Sequence, residues 1–294
     1  MKPAPFEYAA PERLEEAVGL LAEHGEEAKV LAGGQSLLPL LAMRLATPAL
    51  LVDLNRIRGL DEVRIEDGTL TIGALARERA VEELPGLADR APIVAEAVAL
   101  IGHVALRNRG TVGGSIAHAD PAAEWPALLL ALDGEVEVVG PGGPRTIPAP
   151  ELFETYFTTS LQPTEVIREV RVRLPGPGAG SAFVEFARRH GDFALAGAGA
   201  VLELAPDGAV ADVRVALIGV RDTAVRSGAA EAVLRGERPT DEAIRAAAAA
   251  VDADVAPLSD VHASAEFRRH LASVMARRAL LAARARAGGG GEAG

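Results

Sequence analysis

Two glycine pairs, Gly33-Gly34 and Gly113-Gly114, stand eighty residues apart, and each follows a segment whose apolar spacing ends abruptly. A glycine pair limits what a chain can fold into, because the backbone there can turn sharply and approach other groups with no side chain in the way. The first loop reads Leu31-Ala32-Gly33-Gly34-Gln35-Ser36-Leu37, between a short strand from Ala28 to Leu31 and helical spacing from Leu37 to Leu45. The second reads Gly110-Thr111-Val112-Gly113-Gly114-Ser115, after an apolar helix ending near Ile101 and before another apolar segment. Both are small-residue turns expected to leave backbone N–H groups uncovered, and several such donors flanked by Ser or Thr suit a diphosphate. Taken singly, each pair is more often an ordinary tight turn, since glycine is the commonest turn residue. The information lies in the two together.

The organisation around the loops is α+β. Pro11 opens an amphipathic helix carrying Leu14, Ala17, Val18 and Leu21 on one face and stopped by Gly25, and Leu50 to Leu54 reads as a buried strand. Val63 and Ile65, an Asp67-Gly68 turn, then Leu70 and Ile72 read as a hairpin. Strands are expected near Glu135 to Val139 and Glu165 to Leu174, and Pro175 to Gly180 is the clearest linker. Beyond it, Ser181 to Arg188, Ala194 to Leu204 and Ala209 to Val220 read as three antiparallel strands. Ala-rich helices follow at about 222–234, 240–252 and 264–285. The expected units are 1–57, 58–177 and 178–286, with a flexible, glycine-rich tail at 287–294.

Several function classes drop out on composition. The net charge of −11 opposes a nucleic-acid partner, whose phosphates are bound by excess Lys and Arg. The basic stretch from Arg268, Arg269 and Arg277 to Arg286 is read as a solvated helix face or a subunit contact. With no cysteine, the chain has no disulfide, no thiolate metal site, no iron–sulfur ligand and no cysteine nucleophile, so any iron–sulfur cluster belongs to a partner. No metal-binding residue is assigned. The N-terminus lacks an apolar signal region and no run reaches the roughly 18–20 apolar residues of a membrane span, so no transmembrane segment and a cytoplasmic location are expected. The dinucleotide spacing GxGxxG fails at Leu202 after Gly197-Ala198-Gly199, and neither a P-loop nor HExxH occurs. His103, His118 and Asp120 could form an acid–base set, but a lone histidine beside a loop is more often structural, and no catalytic residue is assigned.

At the two loops the chain resembles the medium flavoprotein subunits of the molybdenum hydroxylases, the carbon monoxide dehydrogenase and xanthine dehydrogenase group. That family carries Ala-Gly-Gly-(His/Gln)-Ser-Leu and Thr-(Val/Ile)-Gly-Gly followed by Asp-Pro-Ala; here these are Ala32 to Leu37, Thr111 to Ser115 and Asp120-Pro121-Ala122. The likeness runs from Phe6-Glu7-Tyr8 to the C-terminal helices. It implies a two-subdomain FAD-binding fold of the vanillyl-alcohol-oxidase type, followed by a C-terminal antiparallel three-stranded sheet with a helical bundle. It also implies an FAD-binding electron-transfer subunit, an oxidoreductase component active only within a heteromeric complex. Electrons would come from a small subunit with [2Fe–2S] clusters, fed by a large molybdopterin subunit, and pass to an external acceptor. The implied assembly is an (αβγ)₂ heterohexamer.

Residue roles follow from the resemblance alone. Leu31, Ala32, Gly33, Gly34, Gln35, Ser36 and Leu37, with Thr111, Gly113, Gly114 and Ser115, would hold the FAD diphosphate and ribityl chain. Ile101 would lie against the flavin, and Glu124 takes the place of an Asp on the adenosine side. Val166 and Ile167 would meet the ring through backbone groups, and Gly191-Asp192-Phe193 would cover it, with Phe193 stacking on one face. Equally, Gly191-Asp192-Phe193 reads as an Asx-type turn followed by a core Phe. Gln35 stands where some proteins of the wider fold carry a histidine linked to the flavin, which points to non-covalent FAD. The rivals are a self-sufficient flavin oxidase or reductase of the same fold, needing a proton donor at the flavin or substrate, and a flavin-free scaffold module, which should show a degraded glycine loop.

Overall fold

A computed structural model describes residues 2–288. The N-terminal unit is a small parallel sheet in the order Glu7–Ala9, Leu50–Asp53, Ala28–Leu31. The helix Leu14–His24 covers it with Ala17, Val18 and Leu21, and Gly25 ends that helix at φ 54°, a left-handed angle costly for any residue with a Cβ. The Glu7–Ala9 strand is too short to leave a periodic signature and is absent from the sequence expectation.

Five antiparallel strands form the central sheet, in the order Val63–Glu66, Thr69–Gly73, Val166–Arg173, Glu135–Gly140, Gly143–Pro148. Its hairpin turns through Asp67 and Gly68, both with positive φ, the geometry that matches strand twist. The helices Pro92–Leu100 and Glu124–Ala131 pack into the same core, with Trp125 fully buried.

In the third unit, three long strands, Gly180–Phe186, Ala196–Leu204 and Val210–Ile218, are joined by a two-residue fourth, Val225–Arg226, so the sheet has four strands rather than three. The run Gly197-Ala198-Gly199 belongs to a strand covered on both faces. Ala196, Ala198, Ala200 and Leu202 face the core shared with helices Gly228–Leu234, Asp241–Ala250 and Ala265–Arg286, while Val201 joins the central core. At Gly199 a Cβ would stand 3.3 Å from Ile93, so the missing side chain lets the Pro92–Leu100 helix lie close. Arg268 is not part of a solvated face: it is buried, donating to the carbonyls of Leu195 and Gly219 and pairing with Asp260. From the expected tail, Ala287 and Gly288 bond to Ala283 and Gly178, and residues 289–294 lie outside the described residues. Among the described residues no helix is long and apolar enough to cross a membrane.

The C-terminal helix presses directly on the first strand of this sheet. A Cβ on Gly180 would collide with the Ala283 carbonyl and stand 2.6 Å from the Ala287 nitrogen, both rigid backbone atoms. Gly180→Val is therefore expected to destabilise the chain by about 1–3 kcal/mol, whereas Gly228→Ala, with open space around it, should be neutral or better. Urea midpoints of the two variants check the contrast; equal midpoints would remove the close helix–strand contact as a constraint.

Candidate functional site

The first glycine loop leaves the C-terminal end of the Ala28–Leu31 strand, where parallel sheets place ligand crevices. Gly34 adopts φ 72°, which turns the chain into the helix Leu37–Ala42, whose first bond runs from Leu38 N–H to the Gly34 carbonyl. Gln35 folds back, its Nε2 donating to the Gly33 carbonyl at 3.0 Å. The backbone N–H groups of Gly33, Gly34, Gln35, Ser36 and Leu37 donate to no acceptor among the described residues. Five successive free donors thus lie on half-buried residues, and backbone N–H groups withdrawn from water are almost always paired, so this run is one that a ligand acceptor would satisfy.

The second loop behaves differently from the expectation. Thr111 caps the helix Val112–His118, so Gly113 and Gly114 lie in its first turn. Their N–H groups are already used: Val112 donates to Ala76, Gly113 to Ala74 at 3.0 Å, and Gly114 to Thr111 Oγ1 at 3.2 Å. Glycine is needed at Gly113 because a Cβ would meet Ala74 at 2.6 Å. The expectation that both loops offer free donors therefore holds for the first only; from the second, the N–H of buried Thr111 has no acceptor among the described residues and Ser115 is half-buried.

The two loops meet. A Cβ on Gly33 would collide with the Arg109 carbonyl and stand 2.9 Å from Gly110 Cα, and the corresponding point on Gly114 lies 3.7 Å from Ala32 Cβ. Ile101 is half-buried against the central core, its carbonyl accepting from Arg107 Nη1. Gly191, at φ 87°, rests on the ring of His103, two residues from Ile101, which carries the third unit's turn to this side of the central unit. Phe193 beside it is 68% exposed and the Asp192 carboxylate accepts no hydrogen bond among the described residues, so neither the core Phe nor the Asx turn is formed. Val166 and Ile167 are buried in two different cores, leaving only backbone groups for any ring contact. His118 stacks on Phe157 and Asp120 accepts from the Ala122 N–H; the two do not hydrogen-bond to each other.

Glu124 is 8% exposed and belongs to a group of buried carboxyls that sequence reasoning did not assemble. Burial, then the neighbouring Glu185, Glu78 and Asp120 charges, push its carboxyl well above the usual range. Burial pushes Glu78 up to about 8 and Glu185 up to about 7, and one Glu185 oxygen has no partner. Arg107 offsets little of this, because Glu82 engages it through two bonds of 2.9 Å. Asn55, Arg77 and Arg109 also stand at the loops and were missed; an Asn just past the end of a buried parallel strand was the available signal.

Comparison with known proteins decides the family. Residues 4–175 match the FAD binding domain in molybdopterin dehydrogenase, and residues 181–283 match the CO dehydrogenase flavoprotein C-terminal domain. The chain belongs to the FAD-binding medium subunits of the molybdenum hydroxylases. It is 43% identical to the 6-hydroxypseudooxynicotine dehydrogenase complex subunit alpha of Paenarthrobacter nicotinovorans, over 98% of this chain and 97% of that one. The structure of carbon monoxide dehydrogenase from Hydrogenophaga pseudoflava, lacking the Mo-pyranopterin moiety, superposes with a TM-score of 0.94 at 43% identity, covering 98% of this chain and all of that one. Quinoline 2-oxidoreductase from Pseudomonas putida 86 follows at 0.91 and 36%, covering 97% and 99%. Like other members of the family, this is an FAD subunit and an oxidoreductase component.

The carboxyl group gives this medium subunit a pH signature. Unfolded carboxyls release their protons near 4.5, whereas Glu185 and Glu78 keep theirs to about 7 and 8 in the folded chain. Between those values the native state binds more protons than the unfolded state, so stability falls as pH rises and levels off above about 8, with at most about 1.4 kcal/mol per pH unit for each proton. Thermal midpoints are expected to drop from about pH 6 to about pH 8.5, and Glu185→Gln should flatten part of that drop. A variant profile parallel to wild type removes Glu185 from the account.

Proposed function

We propose that this FAD subunit seats the FAD diphosphate on the free N–H groups of Gly33 to Leu37, with Thr111 and Ser115 closing the other side. The run of five uncommitted donors beside the second loop carries the reading. Ala32, Gly114 and the glycine backbone leave no bulky side chain there, which supports a close approach by a phosphate. Burial, and then the neighbouring carboxyl charges, push the Glu124 carboxyl well above the usual range, which favours its protonated form, the form that can donate an O–H toward the adenosine side. Ile101 is placed to border the flavin, and Phe193, left to solvent at the end of its turn, is free to stack over one ring face.

When bound, FAD supplies the redox chemistry by exchanging electrons singly or in pairs, and the protein supplies binding, orientation and electrostatics. In the proposed complex, electrons arrive from [2Fe–2S] clusters on a small subunit, are delivered there from a molybdopterin large subunit, and leave to an external acceptor. The assembly is an (αβγ)₂ heterohexamer in the cytoplasm. Relatives are named for carbon monoxide, caffeine, nicotine and quinoline, which accords with a substrate chosen in the large subunit.

The purified chain, alone and with its partner subunits, should show flavin absorbance whose chromophore acid releases as intact FAD. The isolated chain should be inert toward aldehydes, N-heterocycles and carbon monoxide. A covalent flavin, or robust turnover of an organic substrate by the chain alone, would replace this reading with the self-sufficient oxidase.

A further inference from the structure

The two glycine loops are tied together by side chains that the sequence motifs do not contain. Asn55 follows the strand Leu50–Asp53. Its Nδ2 donates to the Ala32 carbonyl at 2.9 Å, immediately before Gly33. Its Oδ1 accepts from Arg77 Nη2 at 2.7 Å, and Arg77 Nη1 donates to the Arg109 carbonyl, the oxygen that occupies the place of a Gly33 side chain. The amide orientation follows from its partners: Arg77 can only donate, so the oxygen faces it, while the nitrogen faces the Ala32 carbonyl and the Asp53 carboxylate. Asp53 holds Asn55 at both ends of that residue, accepting from its backbone N–H at 2.9 Å and its Nδ2 at 2.6 Å, and is itself held by the Tyr8 hydroxyl at 2.6 Å.

Neither Arg77 nor Arg109 has a carboxylate within salt-bridge distance among the described residues. Burial, then the Arg109 charge, lower the Arg77 pKa, so Arg77 stands where a second cation is unwelcome. Its fork is spent on two oxygens, one on Asn55, which holds the first loop at Ala32, and the other the Arg109 carbonyl at the entry to the second loop. A lysine could reach one of them but not both with the same planar geometry.

We infer that Asn55 and Arg77 form a bracket that sets the separation of the two glycine loops, so that the free N–H groups of residues 33–37 and the unpaired Thr111 N–H converge on one diphosphate. They are positioning residues: the bracket touches the loops through Ala32 and Arg109 and reaches the cofactor through them. This inference rests on the FAD reading above and deepens it.

The test uses the full chain purified with its partner subunits, stripped of flavin by chaotropic salt and titrated with FAD and, separately, with ADP, which carries the diphosphate but no flavin. Asn55→Ala removes the bracket without changing charge, and Arg77→Lys keeps the charge but loses the fork. Each should weaken FAD by about tenfold or more and weaken ADP by the same factor, with the thermal midpoint of the flavin-free protein unchanged. The double variant should be no weaker than the weaker single one, because the two residues act as one link. FAD and ADP affinities within about twofold of wild type in Asn55→Ala, or full additivity in the double variant, overturn the bracket while leaving the cofactor reading intact. Failure of the wild-type protein to take up FAD in any form sinks both.

Discussion

The Arg109 carbonyl packed against the bare Cα of Gly33 is the contact on which the site's geometry depends. It brings the loop from the parallel sheet up to the loop entering the Val112–His118 helix, and it tolerates no side chain between them. Two backbones at this distance are fixed by packing and not by local turn preference. That explains why two ordinary-looking glycine turns eighty residues apart lie against each other. It also divides their labour: the second loop spends its donors on Ala74, Ala76 and Thr111 to become a rigid wall, and the first keeps its donors free.

Much of the frame was legible because its signals are local. Helix Leu14–His24 has an apolar face and a glycine stop, the Asp67-Gly68 turn demands positive φ, and three long strands alternate with marked turns. What escaped was long-range or too short to be periodic: the three-residue strand Glu7–Ala9, the two-residue strand Val225–Arg226, and the bracket from Asn55 to Arg77, whose members are 22 positions apart. The carboxyl group was invisible for the same reason. Glu78, Glu124 and Glu185 come from three segments, and Glu124 was read only by analogy with an Asp. The exposed ring of Phe193 could not be told from a core Phe until its surroundings were known.

The proposed seat for a diphosphate at these loops looks paradoxical in a chain of net charge −11. The buried carboxyls resolve part of this. Burial pushes the carboxyls of Glu78 and Glu185 up, and burial followed by its neighbours' charges pushes Glu124 up, so these three favour the protonated form more than ordinary surface carboxyls do. Meanwhile Arg77 and Arg109 stand beside the first loop with no carboxylate within salt-bridge distance among the described residues, and the loop itself carries five N–H groups without acceptors there. Local arrangement, not overall charge, decides what the concavity prefers.

The same packing changes how the glycines should be interpreted. A bulky residue at Gly33 would strike the Arg109 carbonyl, and one at Gly113 would strike Ala74, before either reached a ligand. Loss of flavin after such a change follows equally from a displaced loop and from a blocked phosphate, so it does not distinguish the two. Gly114 is the more selective position, since its nearest obstacle is the Thr111 hydroxyl of its own helix cap and its open side faces Ala32 across the gap between the loops. The glycines thus serve two purposes that the motif alone merges: Gly33 and Gly113 let backbones close on their neighbours, and Gly34, at positive φ, turns the chain into the Leu37–Ala42 helix.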